Sequence, residues 1–420
     1  MIYGCVSRRR LAPGDRRLAR DRHLGVLYSC LDTRADIAIV GGGIMGSALA
    51  YWLTRLEPGI SVVVIERDLT YATASSALSA ASIRQQFTTA VNIRIAQASV
   101  EFLRAAGEML EVDGSQPDIG FTEAGYLYLA GESGVGTLRR AHEIQIQHGA
   151  EVALLSPAQL AWRFPWLETA DLTVGTLGLR GEGWFDGYLL LTAFARKART
   201  QGARFVRGEV GELEVRDRRV ASVGLADGSR ISCGHLVNAA GPWARSIARL
   251  AGVDLPVFAR RRTVYVVACR AALTPFPLLI DTSGFWIRPE GTGFIAGLPP
   301  GEDPDDAPLE PEYDAFDSLL WPALAARMPA FEAAKLERAW AGYYEMNVFD
   351  HNGIVGLHPE IANFGFMNGF SGHGMQQGPV VGRGMAELIL RGRFTTVDLS
   401  PLAYERLVEG RPLLELNVIG

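Results

Sequence analysis

The stretch ADIAIVGGGIMGSALAYWLTRLEPGISVVVIERD, residues 35–68, constrains this chain more than any other. Its opening DIAIV is a continuous apolar run, as expected of a parallel strand buried on both faces. Residues 44–56 suit a helix, and SVVVIE from Ser61 reads as the next buried strand. The whole unit is close to the minimum length for a parallel β-α-β crossover. Between strand and helix, Gly41-Gly42-Gly43-Ile44-Met45-Gly46 fits G-x-G-x-x-G. Gly41 allows the tight turn, Gly43 lets the backbone approach a pyrophosphate, and Gly46 seats the helix close on the strand. The helix that opens at Ile44 and Met45 then offers free N–H groups to phosphates. Glu66 lies 20 residues past Gly46, at the end of the second strand. A carboxylate there accepts hydrogen bonds from ribose hydroxyls and repels a 2′-phosphate, which disfavours NADP.

An 18-residue uncharged run, residues 37–54, approaches the length of a membrane span, but Gly41, Gly42, Gly43 and Gly46 interrupt it. A strand, turn and helix explain it better, and no transmembrane segment is expected. The 420 residues, 48% of them hydrophobic, suffice for a large core and two to three domains' worth of chain. With a net charge of −5 nothing suggests a nucleic-acid partner, which needs a basic surface, and none is expected. Of 41 cationic residues only Lys197 and Lys335 are lysines. Cys5, Cys30, Cys233 and Cys269 show no C-x-x-C pair, so neither a zinc site nor a redox dithiol is signalled, and a reducing compartment is the default. His351, His358 and His373 fall in glycine-rich turns and read as separate side chains; no metal is expected. Residues 1–34 are arginine-rich and aperiodic. Asp15, Asp21 and Asp32 argue against a presequence, leaving a disordered extension or a misplaced start.

Further along, GYLYLA from Gly125 reads as an exposed-edge or antiparallel strand, residues 190–201 as an amphipathic helix, and HLVNAAG as another buried strand. Residues 311–327 read as a helix, Lys197 and Lys335 fall in helices, and RAWAGYYEMN reads as a strand. Parallel-type segments at both ends bracket antiparallel-type segments in the middle. The expected fold is therefore α/β: a Rossmann-type dinucleotide-binding domain assembled from sequence-distant segments, with an inserted α+β substrate domain on a mainly antiparallel sheet. The boundaries expected are 35–110, 185–250 and 345–400 for the first, 111–184 and 251–344 for the second, and a tail at 401–420.

The motif alone does not separate FAD from NAD. The stretch NGFSGHGMQQGP supplies a second glycine-rich loop, residues 368–378, leading into a helix with Pro379 in its first turn. Two such loops suit a ligand gripped at both ends, and a helix N-terminus at a flavin's pyrimidine end stabilises the reduced ring. FAD is therefore favoured, with a plain NAD dehydrogenase third in order. Gly369-Phe370-Ser371-Gly372-His373 nearly matches a nucleophile elbow, but no histidine follows His373, so a hydrolase fails on chain order.

GGGIMG with VVVIERD, NAAGPWA, RAWAGYYEMNVFDHNGIVG and GFSGHGMQQGPVVGRGMAELI together resemble the D-amino-acid-oxidase-like FAD-dependent oxidoreductases, over about residues 36–399. That superfamily includes sarcosine and glycine oxidases and dimethylglycine dehydrogenases. The last two stretches, with DLSP after them, look most like the branch of FAD-dependent oxidoreductase domain-containing proteins, whose mitochondrial members are linked to respiratory complex I assembly. The resemblance implies pyrophosphate and ribose contacts at Gly41, Gly43, Gly46, Glu66 and Arg67, a flavin-side loop at Ser75 and Ser76, and a backbone adenine contact at Val210. It implies a second flavin strand ending at Ala240 and Gly241. It also implies a loop at the flavin ring formed by Gly369, Gly372, His373, Gly374 and Met375.

Two departures from that pattern are informative. Residues 71–87 contain no histidine and residues 342–346 no cysteine, so the FAD is expected to be non-covalent. Neither GFIAGL from Gly293 nor the loop after His373 carries the lysine that the resemblance places beside the flavin of sarcosine-type oxidases. A dehydrogenase passing electrons to a protein or quinone acceptor is favoured over an oxygen-using oxidase. For the substrate, Arg84 in SIRQQF is a candidate bidentate carboxylate grip or an ordinary interdomain arginine, and Arg288 a weaker clamp. Tyr343 and Tyr344 either line the pocket or fill the core, and His373 either polarises substrate beside the ring or is bonded to backbone. The function read from the sequence is oxidation of the C–N bond of a small, N-methyl or cyclic amino acid. The alternative is an assembly factor with structural FAD. A cytoplasmic location is expected, or the mitochondrial matrix in a eukaryote.

Overall fold

The computed structural model describes residues 33–416. The expectations for residues 1–32, with Cys5 and Cys30, lie outside the described residues. The strand Thr33–Val40, buried at Ala35 and from Ile37 on, pairs in parallel with Val62–Glu66 on one side and Arg230–Asn238 on the other. The sheet continues in parallel to Arg204–Arg207 at one edge and to Phe364–Asn368 at the other, where Ile354–Leu357 closes it antiparallel. A meander of Val210–Arg216 and Arg219–Leu225 hangs on the first half of Arg230–Asn238. Strands from three distant stretches of sequence thus build one eight-stranded sheet.

The helix Ile44–Leu56 covers this sheet and packs against Gly374–Arg391 and Gly187–Thr200. The two helices Ile44–Leu56 and Gly374–Arg391 approach closely because a Cβ on Gly382 would lie 2.8 Å from that of Ala48. The indole of Trp52 donates to the Pro379 carbonyl across the same contact, at 2.8 Å. Pro379 is not in the first turn of its helix. The helix begins at Gly374, so the proline sits inside it and removes the in-helix donor to the Met375 carbonyl.

A second eight-stranded sheet runs Lys335–Asn347, Val257–Ala268, Gly293–Gly297, Trp286–Glu290, Leu278–Ile280, Tyr126–Ala130, Val174–Gly178 and Val152–Leu155. It is antiparallel except where Leu278–Ile280 meets Tyr126–Ala130. GYLYLA is therefore not an exposed edge. Its alternation sends Leu127 and Leu129 into one apolar cluster and Tyr126, Tyr128 and Ala130 into another, so both faces are buried. Residues 311–327 are not one helix either: Tyr313–Ala315, a π turn at Phe316–Leu320, and Trp321–Arg327 follow one another. Lys335 opens a strand rather than lying in a helix. No helix among the described residues is long and apolar enough to cross a membrane.

Candidate active site

A cavity of about 420 Å³ is lined by residues of both sheets. Its wall joins Glu66, Arg67 and Gly208–Val210, the glycine turn with Ser75–Ser76, and, from the second sheet and the loop beside it, Arg262–Val264, Trp286, Tyr343–Glu345 and Gly372. The register that carries Val40 beside Ile65 brings the glycine turn against Glu66. The Gly41 N–H donates to the Ile65 carbonyl at 2.9 Å, and Gly41 takes φ +98°, which a side chain would strain. A Cβ at Gly41 would meet the Ala239 carbonyl oxygen at 2.3 Å, and one at Gly46 would meet the Gly41 oxygen at 1.9 Å. The turn is therefore locked between two strands and its own helix.

Glu66 accepts from the Gly42 N–H at 2.7 Å through Oε2 and from the Asp68 N–H at 2.9 Å through Oε1. Ser76 Oγ accepts from the Ile44 N–H at 3.0 Å. The helix that begins here has no acidic residue of its own in its first turn, so the charge facing its N-terminus comes from Glu66 and from whatever ligand enters the cavity. The Arg67 guanidinium lies 3.9 Å from the centroid of Trp243, a planar wall for that end. Ser75 Oγ and Arg262 Nε are buried with no hydrogen-bond partner among the described residues, as polar atoms awaiting a ligand would be.

Of the residues singled out from sequence, Gly41, Gly43, Ile44, Met45, Glu66, Arg67, Ser75, Ser76 and Val210 line the cavity, as do Ala240, Gly241, Tyr343, Tyr344, Gly372, Gly374 and Met375. Gly46 and Gly369 are outside the wall and support it: Gly46 lies under the turn, and the Gly369 N–H donates to Glu345 Oε2 at 3.0 Å. Arg84 and His373 are brought together, but neither forms part of the wall. Arg84 is 1% exposed, its Nε donating to the Tyr128 hydroxyl at 2.7 Å and its Nη2 lying 3.1 Å from His373 Nε2. A guanidinium only donates, so His373 offers the Nε2 lone pair and carries its proton on Nδ1. Arg288 is also outside the wall: its Nη2 donates to the Ala80 carbonyl at 2.8 Å, its Nη1 is held by Glu290, and its buried Nε has no hydrogen-bond partner among the described residues.

Among the cavity residues that sequence reasoning missed, Arg262, Trp286 and Glu345 matter most for the chemistry. Three consecutive arginines, Arg260–Arg262, sit on one strand, and the acidic loop after Pro299 takes all three: Asp305 pairs with Arg260, Glu312 with Arg261, and Asp303 with Arg262 at 2.7 Å. Arg262 alone of the three reaches the cavity, with its guanidinium 5.2 Å from the Tyr344 ring. Glu345 has its carboxyl pushed up to about 7 by burial, which the backbone N–H groups of Gly369 and Phe370 oppose.

A glycine turn opening a helix, an acid on the next strand and an antiparallel sheet closing a long cavity define a dinucleotide-dependent oxidoreductase. The chain belongs to the DAO family of FAD-dependent oxidoreductases, whose model matches residues 36–388, and FAD is its cofactor. It is 42% identical to FAD-dependent oxidoreductase domain-containing protein 1 of Xenopus laevis, over 92% of this chain and 85% of that protein. Mitochondrial sarcosine dehydrogenase of Mus musculus is 26% identical over 86% of this chain and 40% of its own length. Among solved structures, L-proline dehydrogenase from P. horikoshii superposes with a TM-score of 0.80 and 27% identity, covering 91% of this chain and all of that one.

Replacing Glu66 with alanine removes the acceptor for the Gly42 N–H of the glycine turn and for the Asp68 N–H. Expected is a loss of FAD affinity of at least about tenfold, since hydrogen bonds to charged groups contribute roughly 1.5–3 kcal/mol. Fluorescence of released FAD during dialysis measures it.

Proposed function

We propose that this protein oxidises the C–N bond of a small amino acid, with N-methyl or cyclic amino acids as the preferred class, and acts as a dehydrogenase. The observation that carries the reading is one cavity lined both by the nucleotide-binding turn and by Arg262, Tyr344 and Trp286. FAD, when bound there, supplies the hydride acceptor. The helix N-termini at Ile44 and Gly374 and the carboxylate of Glu66 hold it, with the backbone at Val210, Ala240 and Gly241. The amino acid's carboxylate exchanges with Asp303 on the fork of Arg262, and Tyr344 and Trp286 exclude water from its carbon skeleton. Arg84 positions His373 from behind the wall.

The chain's similarity to a sarcosine dehydrogenase and an L-proline dehydrogenase supports a secondary amino acid. The lysines support a dehydrogenase: Lys197 donates to the Glu111 carbonyl and Lys335 stands at the far end of the strand that carries Glu345, so neither lines the cavity. FAD is held without a covalent bond, and electrons leave to a protein or quinone acceptor. In a eukaryote the site of action is the mitochondrial matrix, as the names of the dehydrogenase relatives suggest.

Acid precipitation is expected to release yellow flavin, and anaerobic addition of N-methyl or cyclic amino acids to bleach it. Arg262→Met is expected to keep the FAD content and to weaken substrate binding by roughly 10- to 100-fold, the worth of a charge-assisted pair. Flavin left in the pellet would defeat the non-covalent assignment. Bound FAD that no amino acid reduces would favour the assembly-factor reading, in which the cofactor is structural.

A further inference from the structure

Glu345 lies on the cavity wall and is used by none of the roles above. Its Oε2 is fixed by the Gly369 N–H at 3.0 Å. Its Oε1 lies 3.4 Å from where a Cβ would stand on Gly374, the first residue of the helix Gly374–Arg391. Met45 and Gly241 flank the same spot from the dinucleotide-binding sheet. The carboxyl therefore borders the space enclosed by the residues assigned to FAD, held there by the backbone N–H groups of Gly369 and Phe370.

Among the described residues no cation neutralises it there. Across the sheet its partner is Ala259; Arg260 is paired with Asp305 and Arg262 with Asp303. The first turn of the helix brings Gly374, Met375, Gln376 and Gln377, none of which titrates, and His373 is turned to Arg84. The loop before it offers Phe370 and Ser371, and the turn Gly241–Trp243 offers no ionisable group. Tyr344, next along the strand, is held protonated by burial.

We propose that Glu345 takes up one proton when the flavin in this cavity is reduced, so that two-electron reduction consumes two protons instead of one. The inference rests on the flavin reading above. Two electrons and one proton leave the reduced ring with a negative charge, and a like charge beside a desolvated carboxylate disfavours its ionised form. The second proton goes to the Glu345 carboxylate, forming one O–H bond. With a secondary ammonium substrate the balance closes inside the cavity: its C–H leaves as hydride to the flavin, one N–H proton passes to Glu345, and the product is the iminium. The carboxyl's starting position near pH 7 places this uptake in the neutral range.

The test is the midpoint potential of the FAD-loaded full chain against pH, poised with dithionite and redox dyes. Each proton consumed with two electrons changes the reduction equilibrium tenfold per pH unit, which is about 30 mV. The wild type is expected to fall by about 60 mV per pH unit just above neutrality, and Glu345→Gln by about 30 mV. A reduced-minus-oxidised infrared spectrum of the wild type is expected to show a new carboxylic-acid C=O band, which decides the matter if the variant fails to hold flavin. A wild-type slope of about 30 mV throughout, without that band, overturns the proposal. A protein that takes up no flavin at all fails the earlier reading before any slope is measured.

Discussion

Gly46→Ala is expected to produce a folded protein nearly free of FAD. The added Cβ would stand 1.9 Å from the Gly41 carbonyl oxygen and 3.2 Å from Ile39 Cγ2. Backbone cannot rotate away as a side chain can, so the helix Ile44–Leu56 must lift from the strand beneath it. Overpacking of this kind costs typically 1–3 kcal/mol or more. The displacement also moves the Gly41 turn, whose close fit against Ala239 leaves no room to recover. A loss of about 3 kcal/mol at the cofactor end corresponds to a roughly hundredfold weaker FAD complex. The ratio of flavin absorbance to protein absorbance after gel filtration reads it, with thermal unfolding alongside. Gly211→Ala is the matched control, because a Cβ there meets nothing within 4 Å; its FAD content and melting temperature are expected to be unchanged. Stoichiometric FAD in Gly46→Ala would show that the turn does not form the cofactor's cradle.

The reason this turn was legible in the sequence is that its parts are local. Strand, glycine turn, helix and acid follow one another within about thirty residues, and each has its own signature. The substrate end has no such locality. Arg262 faces the cavity because Val257–Ala268 pairs with Lys335–Asn347 across some eighty residues of sequence, in a register that sets Arg262 against Gly342 and Arg261 against Tyr343. Both faces of these strands pack on something, so alternation cannot tell which face meets the ligand. The same blindness made Arg84 an attractive clamp. Its place in SIRQQF says nothing of Tyr128, which arrives from a different strand to take its Nε–H. Glu345 was passed over because an acid in a strand reads as solvent-facing until the Gly369–Gly372 loop closes on it. Pro379 misled by position alone: the helix starts at Gly374, five residues earlier.

Arg406 ties the C-terminal segment to this loop, and removing it is expected to have the largest effect on stability. Arg406 and Asp350 are both buried, joined by Nε to Oδ2 at 2.7 Å and Nη2 to Oδ1 at 3.1 Å. The guanidinium also donates to the carbonyls of Asn352 and Gly353, and Asp350 accepts from Asn347 Nδ2 at 2.8 Å and the Leu413 N–H at 3.0 Å. Arg406→Ala leaves a buried carboxylate and several carbonyls short of donors, which costs about 3–5 kcal/mol. The damage reaches the active site through Asn347, whose N–H donates to Ser371 Oγ at 3.0 Å, while the Ser371 N–H donates to the Glu345 carbonyl at 3.1 Å. The variant is therefore expected to unfold at lower urea in saturating FAD and to lose flavin before it unfolds. Arg411→Ala removes an exposed pair with Glu409 and is expected to shift stability by no more than about 0.5 kcal/mol. Equal unfolding midpoints for the two variants would mean that the buried pair contributes no more than the exposed one. The Gly369–Gly372 loop would then be held by its own hydrogen bonds rather than by the chain's C-terminal segment.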